Sequence, residues 1–222
     1  MNGEPTSQAG LATTAAHWLR SVLAPGAGLT ADSRELRPGD AFIAYPGEKT
    51  DGRAFIAQAL ANGAAAVLYE ASEEGDGQTA VDANDLHARG VQTGGVPSHA
   101  VPGLKRLAGP IAAEYYEHPS ARLDVIAVTG TNGKTSITQW IARGLADAGK
   151  RSAVIGTLGS GIVSAGSAYD ELESFGLTTP DAVSLQRMFA QFVAAGVEVV
   201  AMEASSIGLD QGRIDGADPS IA

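Results

Sequence analysis

The stretch DVIAVTGTNGKTSITQW, residues 124–140, decides how the second half of this chain folds. DVIAV is a continuous run of β-type residues, and TSITQWIARGL behind it has the apolar spacing of a helix. The segment between them, Gly130, Thr131, Asn132, Gly133, Lys134, Thr135 and Ser136, therefore joins a strand to a helix N-terminus. Such a junction favours an anion, because free N–H groups and the positive end of the helix dipole face it. Gly130 and Gly133 allow positive φ and close approach of the backbone. Lys134 can reach the β- and γ-phosphates of a nucleotide, and the Thr135 hydroxyl can ligate Mg²⁺. The common spacing G-x-x-x-x-G-K-[ST] is not met, since counting back five places from Gly133 gives Val128. The loop is a shorter cradle with its phosphate-facing parts retained.

Downstream of the loop the strand–helix alternation continues. SAVIGTLG reads as a strand, and a polar Gly- and Ser-rich loop leads to TTPD. AVSLQRMFAQFVAAG reads as a helix and EVVAMEAS as a strand. This order predicts an α/β domain with a parallel sheet and helical cover. HPSARL reads as a linker, which puts the boundary near Arg122 and gives domains 1–122 and 123–222. The run stops at DGADPSIA, soon after EVVAMEAS, so the second domain is expected to be incomplete. An incomplete sheet would expose a strand edge through which copies could associate.

Upstream, LATTAAHWLRSVL has amphipathic helical spacing. GLTADSREL and DAFIAYPG read as short strands around the turn RPGD. Asp51 can cap a helix through GRAFIAQALANG that Gly63 ends. AAAVLYEA reads as a buried strand. Residues 102–116 have helical spacing with Gly109-Pro110 inside, which predicts a kink or two abutting helices. His17, His87, His99 and His118 fit no motif and are expected at the surface. Tyr115 and Tyr116 are expected to be packing residues of a helix.

The formal net charge of −10 argues against nucleic acid, which needs clustered cations, but not against a small phosphate ligand. The chain has no cysteine, which removes disulfides and thiolate metal sites and fits a reducing compartment. No basic segment followed by an apolar one opens the sequence, and no apolar run approaches the roughly 20 residues of a membrane span. A cytoplasmic location is the expectation.

The short form GTNGKT resembles the ATP loop of the Mur ligases and of the related folylpolyglutamate synthetases. The stretch ADSRELRPGDAFIAYPGEKTDGRAFI, residues 31–56, resembles the UDP-binding N-terminal domain of Mur ligases, which folylpolyglutamate synthetases lack. GTLG at 156–159, LTTPD at 177–181 and MEASSIGLDQGR at 202–213 are similar to the branch that adds the third amino acid to UDP-MurNAc-L-Ala-D-Glu. The resemblance implies an ATP-dependent amide ligase of peptidoglycan precursor synthesis. In such an enzyme a carboxylate is activated as an acyl phosphate and an amine, diaminopimelate or lysine, attacks it. Ligases acting on the tripeptide instead, folylpolyglutamate-type ligases and a non-catalytic nucleotide-sugar-binding module remain as alternatives.

The same resemblance implies the residue roles. Gly130 to Ser136 would bind ATP, with Lys134 neutralising the transferring phosphoryl group. Thr135 and Glu203 would hold Mg²⁺. Ser33 would bond the uridine part, with Glu48, Lys49 and Thr50 in a second loop on the uridine side. Thr178, Thr179, Ser205, Gln211 and Arg213 would hold the sugar-peptide. Two departures are visible: Ile207 stands where many relatives have histidine, and Ser136 where threonine is common. The family's later Asp-His motif, its carbamylated lysine and its amino-acid-binding C-terminal domain have no counterpart in these residues. The fragment by itself is therefore expected to be inactive.

Overall fold

The computed structural model describes residues 7–48, 50–71, 93–166 and 172–221. The chain packs as two units, Met1–Tyr115 and Tyr116–Ala222. The division falls seven residues ahead of Arg122 because HPSARL is not a slack linker. Pro119–Arg122 forms a 3₁₀ turn with Pro119 and Ser120 buried, and it packs against a helix of the second unit.

The first unit is a four-stranded parallel sheet in the order β1 (Leu29–Thr30), β2 (Ala41–Ala44), β3 (Ala66–Glu70), β4 (Ser98–Val101). β2 is buried throughout and β3 nearly so, which is why both read as unbroken apolar runs. α1 (Gln8–Val22) begins at Ser7, whose Oγ accepts from the Gly10 N–H at 3.2 Å. Its buried face, Ala12, Ala15, Ala16 and Leu19, has helical spacing and lies in the helix that packs most closely on α3 (Leu104–Tyr115). Between β2 and β3 a 3₁₀ turn (Gly52–Phe55) runs into α2 (Ile56–Ala61). Asp51 caps the turn by accepting from the Arg53 N–H at 3.0 Å.

Three expectations are corrected here. GLTADSREL pairs only at Leu29–Thr30, because the Asp32 carboxylate accepts from the Arg34 N–H at 2.9 Å and folds the chain into a turn. α3 runs through Gly109-Pro110 as one helix rather than two. His99 is not a free surface residue. It is half-buried on β4 and stacks on Trp18 of α1 at 5.1 Å between ring centroids. His17 and His118 are exposed, and His87 lies outside the described residues. Tyr115 packs and also donates its hydroxyl to the Ala27 carbonyl at 2.8 Å.

The second unit holds β5 (Asp124–Val128), α4 (Lys134–Asp147), β6 (Ser152–Gly156), β7 (Gly159–Val163), α5 (Ala182–Ala194), β8 (Val199–Glu203) and the short α6 (Ser206–Asp210). The sheet order is β5-β8-β6-β7, parallel except for β7. Leu185, Phe189 and Phe192 of α5 share one core with Val125, Ile155, Val200 and Met202. Ala142 and Ala146 of α4 share another with Val154 and Ala201. The sheet is thus covered by a helix-bearing core on each face.

SAVIGTLG was expected as one strand followed by a polar loop. It is instead β6, a two-residue turn at Thr157-Leu158 and an antiparallel return through GSGIV, with Gly159 at φ +124. The glycines and serine of β7 disguised a hairpin as a loop. The expected open edges are partly closed by the chain itself. Beside β5, the Ala127 N–H donates to the Ile221 carbonyl and the Ser220 N–H to the Val125 carbonyl, both at 2.9 Å. Beside β7, Ser160 and Glu173 exchange a pair of backbone bonds at 2.9 Å.

Candidate functional site

The carboxyl ends of β5, β6 and β8 lie side by side, and ligands gather at such ends of parallel sheets. β5 delivers the glycine loop there. Gly130 and Gly133 take φ of +130 and +84, conformations an L side chain rarely adopts, so both glycines are required. Gly133 opens α4 with no side-chain cap. Among the described residues, no protein acceptor takes the N–H of Thr131, Asn132, Gly133, Lys134, Thr135 or Ser136. Unpaired donors at a helix start need a partner, and here they converge at the positive end of the helix dipole. Lys134 arches back over the loop and donates from Nζ to the Gly130 carbonyl at 2.6 Å. That ammonium is available to an arriving anion at the cost of one exposed hydrogen bond.

Glu203 ends β8 opposite Val128, the last residue of β5, and the Ala204 N–H donates to the Val128 carbonyl at 2.9 Å. The residue is only 1% exposed. Oε1 accepts from the Thr157 N–H at 2.8 Å and Oε2 from the Thr157 hydroxyl at 3.3 Å. Among the described residues no Lys, Arg or His pairs with it. A buried carboxylate without a cation is costly unless a metal supplies the charge. One carboxylate and one hydroxyl are a fitting donor set for Mg²⁺, which takes oxygen ligands and keeps waters or phosphate oxygens in the rest of its shell. No group of three His, Cys, Asp or Glu that could hold a metal ion occurs among the described residues.

Gly156 explains how the carboxylate fits. A Cβ at this position would lie 2.2 Å from Glu203 Oε1. The end of β6 is hollowed to admit the glutamate, and Thr157 beyond it closes over both oxygens. Neither residue stood out as a site residue in the sequence. The GTLG motif contained the signal, but only the strand register brings it to Glu203.

The remaining residues of this unit form one network. Thr179 is fully buried, donates its hydroxyl to the Glu203 carbonyl at 2.9 Å and accepts from the Ser205 N–H at 3.0 Å. Ser205 caps α6 by accepting from the Gly208 N–H at 3.0 Å, and its Oγ lies 3.1 Å from that of Thr179. Arg213 donates from Nη1 to the Thr179 carbonyl and from Nε to Gln211 Oε1, both at 2.8 Å. Thr178 is half-buried, with Oγ1 at 3.1 Å from Thr157 Oγ1. Thr178, Thr179, Ser205, Gln211 and Arg213 are therefore brought together, with the Thr179 hydroxyl committed to protein partners. A guanidinium has five N–H donors, so Arg213 keeps donors for a ligand. Ile207 is 62% exposed beside them.

Ser33, Glu48 and Thr50 belong to the other unit, in the loops that follow β1 and β2 at the carboxyl edge of that sheet. Ser33 is buried, and its hydroxyl donates to Gln58 Oε1 at 3.2 Å. Glu48 and Thr50 are exposed in a tight turn closed by the Gly47 N–H on the Thr50 carbonyl at 2.9 Å. Lys49 lies outside the described residues. No described helix is long and apolar enough to cross a membrane.

Comparison with known proteins gives two matching family models. The Mur ligase family catalytic domain matches residues 27–115 and the Mur ligase middle domain matches residues 128–222. A UDP-N-acetylmuramoyl-L-alanyl-D-glutamate--2,6-diaminopimelate ligase of Janthinobacterium sp. (strain Marseille) is 46% identical over 199 residues, covering 90% of this chain and 36% of that protein. A solved structure of a ligase of the same name is 30% identical with a TM-score of 0.60, covering 86% of this chain and 34% of that one. A MurF ligase from Thermotoga maritima, solved in complex with ADP, is 20% identical with a TM-score of 0.50, covering 87% and 36%. It shares the fold. The chain spans about a third of the length of the curated relatives it matches.

Proposed function

The chain belongs to the Mur ligase family, and on that premise we propose that it is the UDP-sugar- and ATP-binding part of a ligase that extends UDP-MurNAc-L-Ala-D-Glu. The relatives' name points to 2,6-diaminopimelate as the amine, with lysine as the alternative. The observation that carries this reading is the uncapped start of α4, with its unpaired N–H groups and Lys134 beside them.

ATP supplies the phosphoryl group that turns the substrate carboxylate into a good acyl donor. The chain's own part is positioning and charge. The N–H groups of Thr131 to Ser136 hold the phosphates, and Lys134 leaves the Gly130 carbonyl to neutralise the oxygens on which charge develops. Thr135 and Glu203 would hold Mg²⁺, whose charge would offset that of the buried carboxylate and of the nucleotide phosphates. Arg213 grips an anionic end of the sugar-peptide with the donors that Thr179 and Gln211 leave free, and Thr178 contacts the same ligand. Thr179 and Ser205 set the backbone from which Arg213 and Thr178 act. In the first unit, Glu48, Lys49 and Thr50 meet the uridine side, and Ser33 shapes that loop through Gln58. The cytoplasm is the compartment that holds such nucleotide substrates.

Turnover is proposed for the longer proteins and not for these 222 residues, which bind without completing the reaction. Calorimetric titration of the purified chain with UDP-MurNAc-L-Ala-D-Glu, then with Mg-ATP, tests this. Binding of both without phosphate release is the expected result. Steady-state phosphate release that needs both dipeptide and amino acid would overturn the inactive-fragment reading, and failure of a folded sample to bind either ligand would overturn the site.

A further inference from the structure

We infer that Thr157 is a positioning residue that fixes the Glu203 carboxylate for its cation and turns Thr178 into a pure hydrogen-bond acceptor toward the bound ligand. This rests on the nucleotide–Mg²⁺ reading of the site given above. Three observations carry it. Both oxygens of Glu203 are held by Thr157, one by its N–H at 2.8 Å and one by its hydroxyl at 3.3 Å. The space the carboxylate occupies exists only because residue 156 has no side chain. The Thr157 hydroxyl is also within 3.1 Å of the Thr178 hydroxyl.

The direction of this chain of bonds follows from proton counting. A threonine hydroxyl has one proton to donate, and an ionised carboxylate only accepts. The charge-assisted bond is the stronger one, so the Thr157 proton goes to Glu203. Thr157 then accepts the proton of Thr178. Thr178 is left with lone pairs only, and it can receive an N–H or O–H of the ligand but cannot donate to a carboxylate or phosphate. The anionic part of the ligand therefore falls to Arg213, and an amide or hydroxyl donor falls to Thr178. Thr157 thus acts through Glu203 and Thr178.

The test is the Mg²⁺ dependence of ADP binding to the 222-residue chain, measured by calorimetry at a series of Mg²⁺ concentrations and in EDTA. Thr157→Val keeps the N–H and the shape but removes the hydroxyl, and Thr157→Ser restores the hydroxyl. In Thr157→Val the Mg²⁺ concentration that gives half the magnesium-dependent gain in affinity should rise about tenfold, the scale of losing one charge-assisted hydrogen bond. Affinity for ADP in EDTA should stay unchanged, and Thr157→Ser should return the midpoint to within about twofold of the parent. An unchanged midpoint in Thr157→Val overturns the inference. So does an equal loss of affinity with and without Mg²⁺ accompanied by a lower melting temperature, since that is what a purely structural threonine would produce. A parent chain that binds ADP without any response to Mg²⁺ overturns the inference while leaving the phosphate cradle standing. A folded parent chain that binds no ADP at all overturns the cradle reading and the inference together.

Discussion

Two helices of this chain start in the same way and end up with opposite chemistry. α3 follows β4 and α4 follows β5, each after a glycine held at positive φ, Gly103 at +70 and Gly133 at +84. At α3 the positive end is already occupied. Glu70, the last residue of β3, accepts from the Gly103 N–H at 2.7 Å and from the Lys105 N–H at 3.0 Å through its two carboxylate oxygens. At α4 no side chain does this, and the Glu203 carboxylate at the end of β8 accepts from Thr157 rather than from the first N–H groups of the helix. A helix N-terminus is thus a structural joint when the protein supplies its own anion, and is left open to an outside anion when it withholds one.

The comparison can be broken most severely by giving α4 an anion of its own. Ser136→Glu places a carboxylate at the third helical position, from which it can reach back to the helix start as in a capping box. Affinity for Mg-ADP should fall about 100-fold or more, through filled donors and like-charge repulsion, with no loss of melting temperature. Calorimetry and a thermal melt on one sample check both halves. Lys134→Ala comes next. It removes one charge-assisted contact and should weaken Mg-ATP about 10- to 100-fold without unfolding the chain. The converse change empties α3. Glu70→Ala should cost about 1–2 kcal/mol of stability in denaturant unfolding and leave nucleotide affinity untouched. Equal damage to nucleotide affinity would show that the two helix starts are not independent.

The smallest effect lies in the stack of α1 on β4. Burial lowers the pKa of His99 below its ordinary 6.5, so the folded state binds a proton less readily than the unfolded chain. The stability this group contributes is complete above the ordinary value and is lost as the pH falls through the lowered one. Because the ring is half-exposed, the melting temperature should drop only by about 1 °C between about pH 7.5 and 5.5. His99→Gln should remove that difference.

The sequence exposed those parts of the site that depend on neighbours along the chain. The strand, loop and helix around Lys134 read correctly because glycine spacing, β-type runs and helical periodicity are local signals. Residues 177–181 and 202–213 were recognisable as motifs for the same reason. What stayed hidden depends on register. Thr157 and Gly156 matter only because β8 lies between β5 and β6, a neighbour relation no local pattern encodes. The β7 hairpin was hidden by composition, since its glycines and serine carry turn signals. For Thr179 the sequence does not separate two roles. A buried hydroxyl with its donor and acceptors already engaged looks, in sequence, the same as one that faces a ligand.

The hollow at Gly156 reaches beyond the present chain into how this sequence can change. With a carboxylate oxygen standing 2.2 Å from where a first side-chain atom would be, residues 156 and 203 are not free to drift separately. An added methyl at 156 evicts the glutamate, and a shorter acid at 203 leaves a void that only a larger residue at 156 would fill. Each single step should therefore be tolerated less well than the paired one. Positions 156 and 203 are expected to be epistatically coupled along forty-seven residues of chain, and a library that varies both together should recover combinations that libraries varying either one alone do not.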